Sequence, residues 1–160
     1  MDASLYTQII KDLCQCVGID RWDEVVHNAH ILVDGKIVGL IHDESDIHHN
    51  ELYVYIELDP VGQVCPEEIY RRMLAENLRR HETLRGYWGV HPDVGSAVYC
   101  IRLEWTHQLE CRELAEFLCN QVQAAARLFE VLKECRFPQL PFTSFRKAKN
   151  EINRTDMEGD

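Results

Sequence analysis

Histidine and cysteine supply most of the chain's capacity for chemistry, with eight of the first and seven of the second. The densest group is His42, Asp43, Glu44, Asp46, His48 and His49. Such side chains can ligate zinc or a harder cation, yet their order matches no metal-site spacing, so they read as a solvated polar loop. Cys14-x-Cys16 places two thiols on different faces of a helical pattern and lacks the C-x-x-C spacing of redox and zinc sites. Cys100 and His91 face each other across a short hairpin, where a thiol and an imidazole could form a nucleophile pair. No third group is at hand to orient that pair. Glycine-rich phosphate loops, G-x-S-x-G and H-E-x-x-H do not occur. The expectation is a protein with no catalytic residue, no metal and no cofactor, which is no enzyme and works through its surface.

Composition points the same way. A chain of 160 residues with 46% hydrophobic and 28% charged content suits one domain with a real core. Seventeen basic against 27 acidic side chains give a net charge of −10, which argues against a nucleic-acid partner. Residues 136–160 carry five basic and four acidic groups, so residues 1–135 stand at −11. An acidic body of this kind suits a basic or polar polypeptide partner and also serves solubility. No apolar run reaches the ~20 residues that span a bilayer, and Met-Asp-Ala-Ser-Leu-Tyr is not the start of a secretory signal. The chain is expected to be cytoplasmic. An odd number of cysteines, most of them inside apolar periodic segments, reads as reduced thiols in a reducing compartment.

The elements that would position these residues follow from periodicity. Leu5, Ile9, Leu13 and Cys16/Val17 recur at helical spacing, with Ile10 widening the stripe and Gly18 ending it, which predicts a helix over roughly 4–17. Asp34-Gly35 between His30-Ile-Leu-Val and Lys36-Ile-Val-Gly-Leu-Ile is a type I′ hairpin signal. In that register Ile31, Val33, Val38 and Leu40 share one face, and Leu32, Ile37 and Ile41 the other. Both faces are apolar. A helix of the same chain covers one of them, and the other needs a second helix, a second subunit or a client.

Leu52, Val54, Ile56 and Leu58 alternate with Tyr53, Tyr55 and Glu57 as a third strand. Pro66 opens a second helix with Glu67 and Glu68 in its first turn and Ile69, Tyr70, Met73, Leu74 and Leu78 along its apolar side. Tyr87, Trp88 and Val90 begin a fourth strand, and Ala97, Tyr99, Ile101, Leu103 and Trp105 mark a fifth. A long third helix over about 108–134 follows from Leu114, Leu118, Val122, Ala125/Ala126, Phe129 and Leu132. Residues 1–135 thus form one α+β domain, αβββαββα, with a twisted antiparallel sheet and three helices. Residues 136–160 are an extension, flexible at least from about 146.

With this element order on the page, the chain resembles the class I type III secretion chaperones, the Tir chaperone (CesT/SycE-like) family. The resemblance covers about residues 4–133. It rests on the first helix ending in Val17-Gly18, on Leu74-Ala-Glu-Asn77 as a Leu-x-x-Asn pattern, on Gly89-Val-His-Pro-Asp-Val-Gly95 before an apolar strand, and on the long closing helix. It implies a homodimeric bacterial chaperone that binds the N-terminal segment of secreted effectors, keeps it non-globular and aids its delivery to the export apparatus, with the secretion ATPase as a further contact. It also implies a dimer interface at Ile69, Tyr70, Met73, Leu74, Tyr87, Trp88 and Val90, and effector contact at Leu5, Ile9, Leu13, Leu32, Ile37 and Ile41. The alternative is a CesT-like protein-binding adaptor or regulator not tied to secretion.

Overall fold

The computed structural model describes residues 3–42, 51–62, 66–79, 86–105 and 110–134. The polar loop from Asp43 to His49, Cys65, Cys135 and the 136–160 extension lie outside the described residues. Element order is α1 (Ala3–Val17), α2 (Trp22–Asn28), β1 (His30–Val33), β2 (Lys36–Ile41), β3 (Glu51–Pro60), α3 (Pro66–Glu76), β4 (Gly86–Val90), β5 (Ser96–Glu104) and α4 (Cys111–Glu134). The five strands form one antiparallel sheet in the order β1-β2-β3-β5-β4.

Local chemistry accounts for the boundaries. Gly18, at φ 77, ends α1 in a Schellman motif, with Ile19 N bonded to Cys14 O at 2.8 Å and Gly18 N to Gln15 O at 3.4 Å. Asp34 and Gly35 both have positive φ, as a type I′ turn requires. The structure adds one short helix, α2, to the three that periodicity predicts. Its seven residues make too few turns to show a stripe, although Asp23 and Glu24 in the first turn and His27 in the last suit the helix dipole.

One face of the sheet and all the amphipathic helix faces form a single core. Ile31, Val38, Leu40, Leu52, Val54, Ile56, Ala97, Tyr99 and Ile101 point into it from the strands. Tyr6, Ile9, Ile10 and Leu13 of α1, Ile69 and Met73 of α3, and Leu114, Leu118, Val122 and Phe129 of α4 cover them. Trp88 lies between Tyr99 and Phe129, with ring centroids 5.0 and 6.0 Å away. Arg72 is buried beneath α4, where it donates to the Leu132 carbonyl and pairs with Glu68, each at 2.8 Å. A buried guanidinium needs both partners, and together they fasten α3 to the end of α4.

Candidate protein-binding surface

The sheet's second face is where the polar and apolar pattern leaves an opening. Pairing aligns His30, Gly39, Tyr55, Cys100 and Tyr87 in one row across all five strands. Ile41, Tyr53 and Arg102 form a second row, and Leu32 stands opposite Ile37. These residues alternate with the buried ones, so they share the face turned away from the core. Leu32 is 69% exposed, Ile37 42% and Tyr87 55%, while Ile41, Tyr53 and Tyr55 are half-buried. Tyr55 lies flat over Gly39, since a Cβ at position 39 would stand 2.3 Å from its Cδ2. The face is therefore aromatic and aliphatic, with Arg102 held by Glu51 at 2.5 Å near one end.

The two edges of the sheet differ. On β4 the backbone of Trp88 faces outward and is already occupied. The Asn77 side chain accepts from Trp88 N–H at 2.6 Å and donates to Trp88 C=O at 3.1 Å, as a strand neighbour would. Gly86 at the start of β4 is obligatory, because a Cβ there would meet the Cys100 carbonyl oxygen at 2.1 Å. On β1 the ladder runs the other way. Leu40 N bonds Ala29 O at 2.7 Å, which sets the alternation along the hairpin and turns the N–H and C=O of Leu32 away from β2. Among the described residues no backbone hydrogen bond occupies that edge. An open edge beside an exposed Leu32 is a template for an added strand.

The structure separates the predicted contact residues by depth. In the effector set, Leu32, Ile37 and Ile41 lie together on the outer face, and Leu5 is half-buried. Ile9 and Leu13, 4% and 1% exposed, belong to the core and present no surface in this chain. In the interface set, Leu74, Tyr87 and Val90 are exposed, Tyr70 is half-buried, and Ile69, Met73 and Trp88 are core residues beneath them. Periodicity identifies the apolar side of a helix, and that side is mostly consumed by its own core. Asn77 is the residue whose part was missed. Its place in Leu-x-x-Asn was visible, but its partner eleven positions on was not.

The thiol and imidazole candidates do not assemble. His91 pairs with Ser96 at the tip of the β4–β5 turn, four residues along the strand from Cys100, roughly 13 Å away. Burial pushes the Cys100 thiol up, which keeps it protonated and unreactive. Among the described residues no three His, Cys, Asp or Glu side chains gather as a metal site. No described helix is long and apolar enough to cross a membrane.

No protein-family model and no curated protein sequence matches the chain. Solved structures do. A chain of the crystal structure of the ExsC–ExsE complex superposes with a TM-score of 0.60 at 16% identity, covering 82% of this chain and 97% of that one. A chain of the HopA1–SchA chaperone–effector complex does so with a TM-score of 0.51 at 12% identity, covering 84% and 99%. At such identities the likeness establishes the fold: this chain has the α+β architecture found in these complexes, over nearly the whole length of the chains it matches.

Proposed function

We propose that the chain is a bacterial cytoplasmic chaperone of type III secretion, which binds the N-terminal segment of one or more effectors. It holds that segment non-globular and aids its delivery to the export apparatus, without chemistry of its own. The observation that carries the reading is the combination of an open β1 edge with the apolar residues Leu32, Ile37 and Ile41 on the adjoining outer face. An extended client adds its backbone to such an edge and sets alternate side chains on the adjoining face. Ordering a disordered segment costs free energy, so a long path across the tyrosine-rich face supports the reading better than a single pocket would. The shared fold with a chain of a chaperone–effector complex supports the same view.

In this reading the protein works as a homodimer. The exposed Leu74, Tyr87 and Val90 of α3 and β4 form the seam, with Tyr70 at its border. Asn77 keeps the β4 edge from pairing with strands, so the seam joins through side chains. The test is client capture. Tagged wild-type chain from its native host should retain a secreted protein whose N-terminal segment it shields from protease. Leu32→Asp and Ile37→Asp should each reduce that capture at least tenfold with Tm unchanged. Retention and shielding that survive both substitutions would remove the β1 edge from the client path.

A further inference from the structure

The last turn of α4 is tied to the hairpin that carries the open edge. Lys133 Nζ lies 4.0 Å from Asp59 Oδ2 near the end of β3, and Lys36 Nζ donates to Asp59 Oδ1 at 2.6 Å. Lys36 opens β2, and the next residue, Ile37, stands opposite Leu32. The chain therefore leaves α4 beside the exposed Leu32 and Ile37, with residues 135–160 still to follow. Even with both lysines fully extended, the backbone route from Lys133 to Ile37 is no more than roughly 25 Å, which about eight extended residues span. Phe142 and the residues after it are within reach of the face.

The chemistry of that stretch fits the place. Pro138 and Pro141 favour extended backbone at the residues before them. After Pro141, Phe142-Thr-Ser-Phe145 is free of proline and of charge, so each residue has the N–H that a ladder needs. The hydrogen bond from Leu40 N–H to Ala29 C=O fixes the alternation along β1, so His30 and Leu32 both turn their N–H and C=O outward. A short proline-free segment matches that short edge. Phe142 and Phe145 are an odd number of residues apart, which puts them on opposite faces of a strand. One covers Leu32 and Ile37, and the other covers half-buried Val33 at the rim of the core. A segment entering from the hairpin turn runs antiparallel to β1 and on toward α2. Arg146, Lys147 and Lys149 are thereby carried toward exposed Asp20 and Asp23.

We propose that residues 142–146 of the same chain add a sixth strand, antiparallel to β1, which caps Leu32 and Ile37 until a client displaces it. Docking of the segment stands on the open edge, the reach and the charges. That a client is what displaces it rests on the reading of this face as the client surface. Tethering gives the cap a high effective concentration, so a client binds more weakly in proportion to the fraction of chains left uncapped. The same cap shields the edge from pairing with stray strands of other molecules.

Full-length wild type and the full-length double variant Phe142→Asp/Phe145→Asp test this, because both substitutions lie beyond α4. Amide exchange at His30 and Leu32 should be slower in wild type by about tenfold or more, with Val54 and Ile56 in the core exchanging alike in both proteins. Equal exchange at His30 and Leu32 overturns the cap. The protection should not vary with protein concentration. Protection that fades on dilution assigns the edge to a second copy and overturns docking within one chain. Photoactivatable benzoylphenylalanine at position 142 or 145 should cross-link within a single chain to residues 28–41, and links confined to any other surface refute the site. No client is needed for these measurements. Capture of a secreted protein from the native host reads the regulation, and it should rise severalfold in the double variant. Capture that stays equal while the cap is seen by exchange refutes the regulatory role. A cap with no client captured by either protein refutes the chaperone reading and leaves the cap standing.

Discussion

Replacing Asn77 by alanine tests the structural logic of the β4 edge. The side chain makes two hydrogen bonds to Trp88, at 2.6 Å from its N–H and 3.1 Å to its carbonyl, both partly buried. A net hydrogen bond contributes about 0.5–1.5 kcal/mol, and a partner left unsatisfied costs more where water cannot reach it. Asn77→Ala should therefore lose about 2 kcal/mol. At this chain length that lowers Tm by roughly 4–8 °C. Urea unfolding at fixed protein concentration gives the number directly, as a lower midpoint with an unchanged slope. Asn77→Asp is the informative companion. It still accepts from Trp88 N–H but presents a second oxygen to the Trp88 carbonyl, so it recovers part of the loss at most. Leu78→Ala is the control, because Leu78 is 88% exposed and should change stability by no more than about 0.5 kcal/mol. If Asn77→Ala also stays within about 0.5 kcal/mol of wild type, the amide does not hold the edge, and the contrast between the two edges fails with it.

Other outcomes follow from the same structure. Leu74→Glu places a charge in the proposed seam while leaving the core untouched, so light scattering at micromolar concentration should show dimer giving way to monomer. A wild-type chain that is already monomeric would refute the seam itself. Gly39→Ala drives a methyl into the Tyr55 ring and should cost about 1–3 kcal/mol by overpacking, read as a lower urea midpoint. A neutral result would mean that Tyr55 moves aside freely. The hydrogen bond from Lys36 holds the Asp59 carboxyl below its ordinary value. A group depressed in the folded state contributes stability above its unfolded pKa of about 3.9, and that contribution is lost as pH falls through the lower folded value. Lys36→Met should thus be slightly less stable than wild type at pH 7, by under about 1 kcal/mol because the pair is exposed, and the two curves should converge below about pH 4. Curves that stay parallel into acid would show that the pair contributes nothing.

The helix and strand order was legible because its causes are local. The Asp34-Gly35 turn, the Gly18 stop and the Pro66 start each act within a few residues of where they are written. What escaped was of two kinds. The helix α2 was too short for a period to appear within it. Depth was the larger omission: Ile9, Leu13, Ile69, Met73 and Trp88 read as available apolar surface, and each is consumed by the core. Periodicity marks a residue as apolar and assigns it a side, but whether that side is spent inside the chain depends on elements distant in sequence.

The hairpin over residues 30–41 divides the two kinds of knowledge. Alternation in the sequence determined that both its faces are apolar, that Leu32, Ile37 and Ile41 share one of them, and that something beyond a single helix must cover the pair. Only the tertiary structure decided that α1 and α4 take the face of Ile31, Val38 and Leu40 and leave the other open. It also decided that Asn77 closes the β4 edge while β1 keeps its outward backbone groups. The reason is physical: turns and periods are set by neighbours along the chain, whereas burial and edge satisfaction are set by contacts that exist only once the chain has folded.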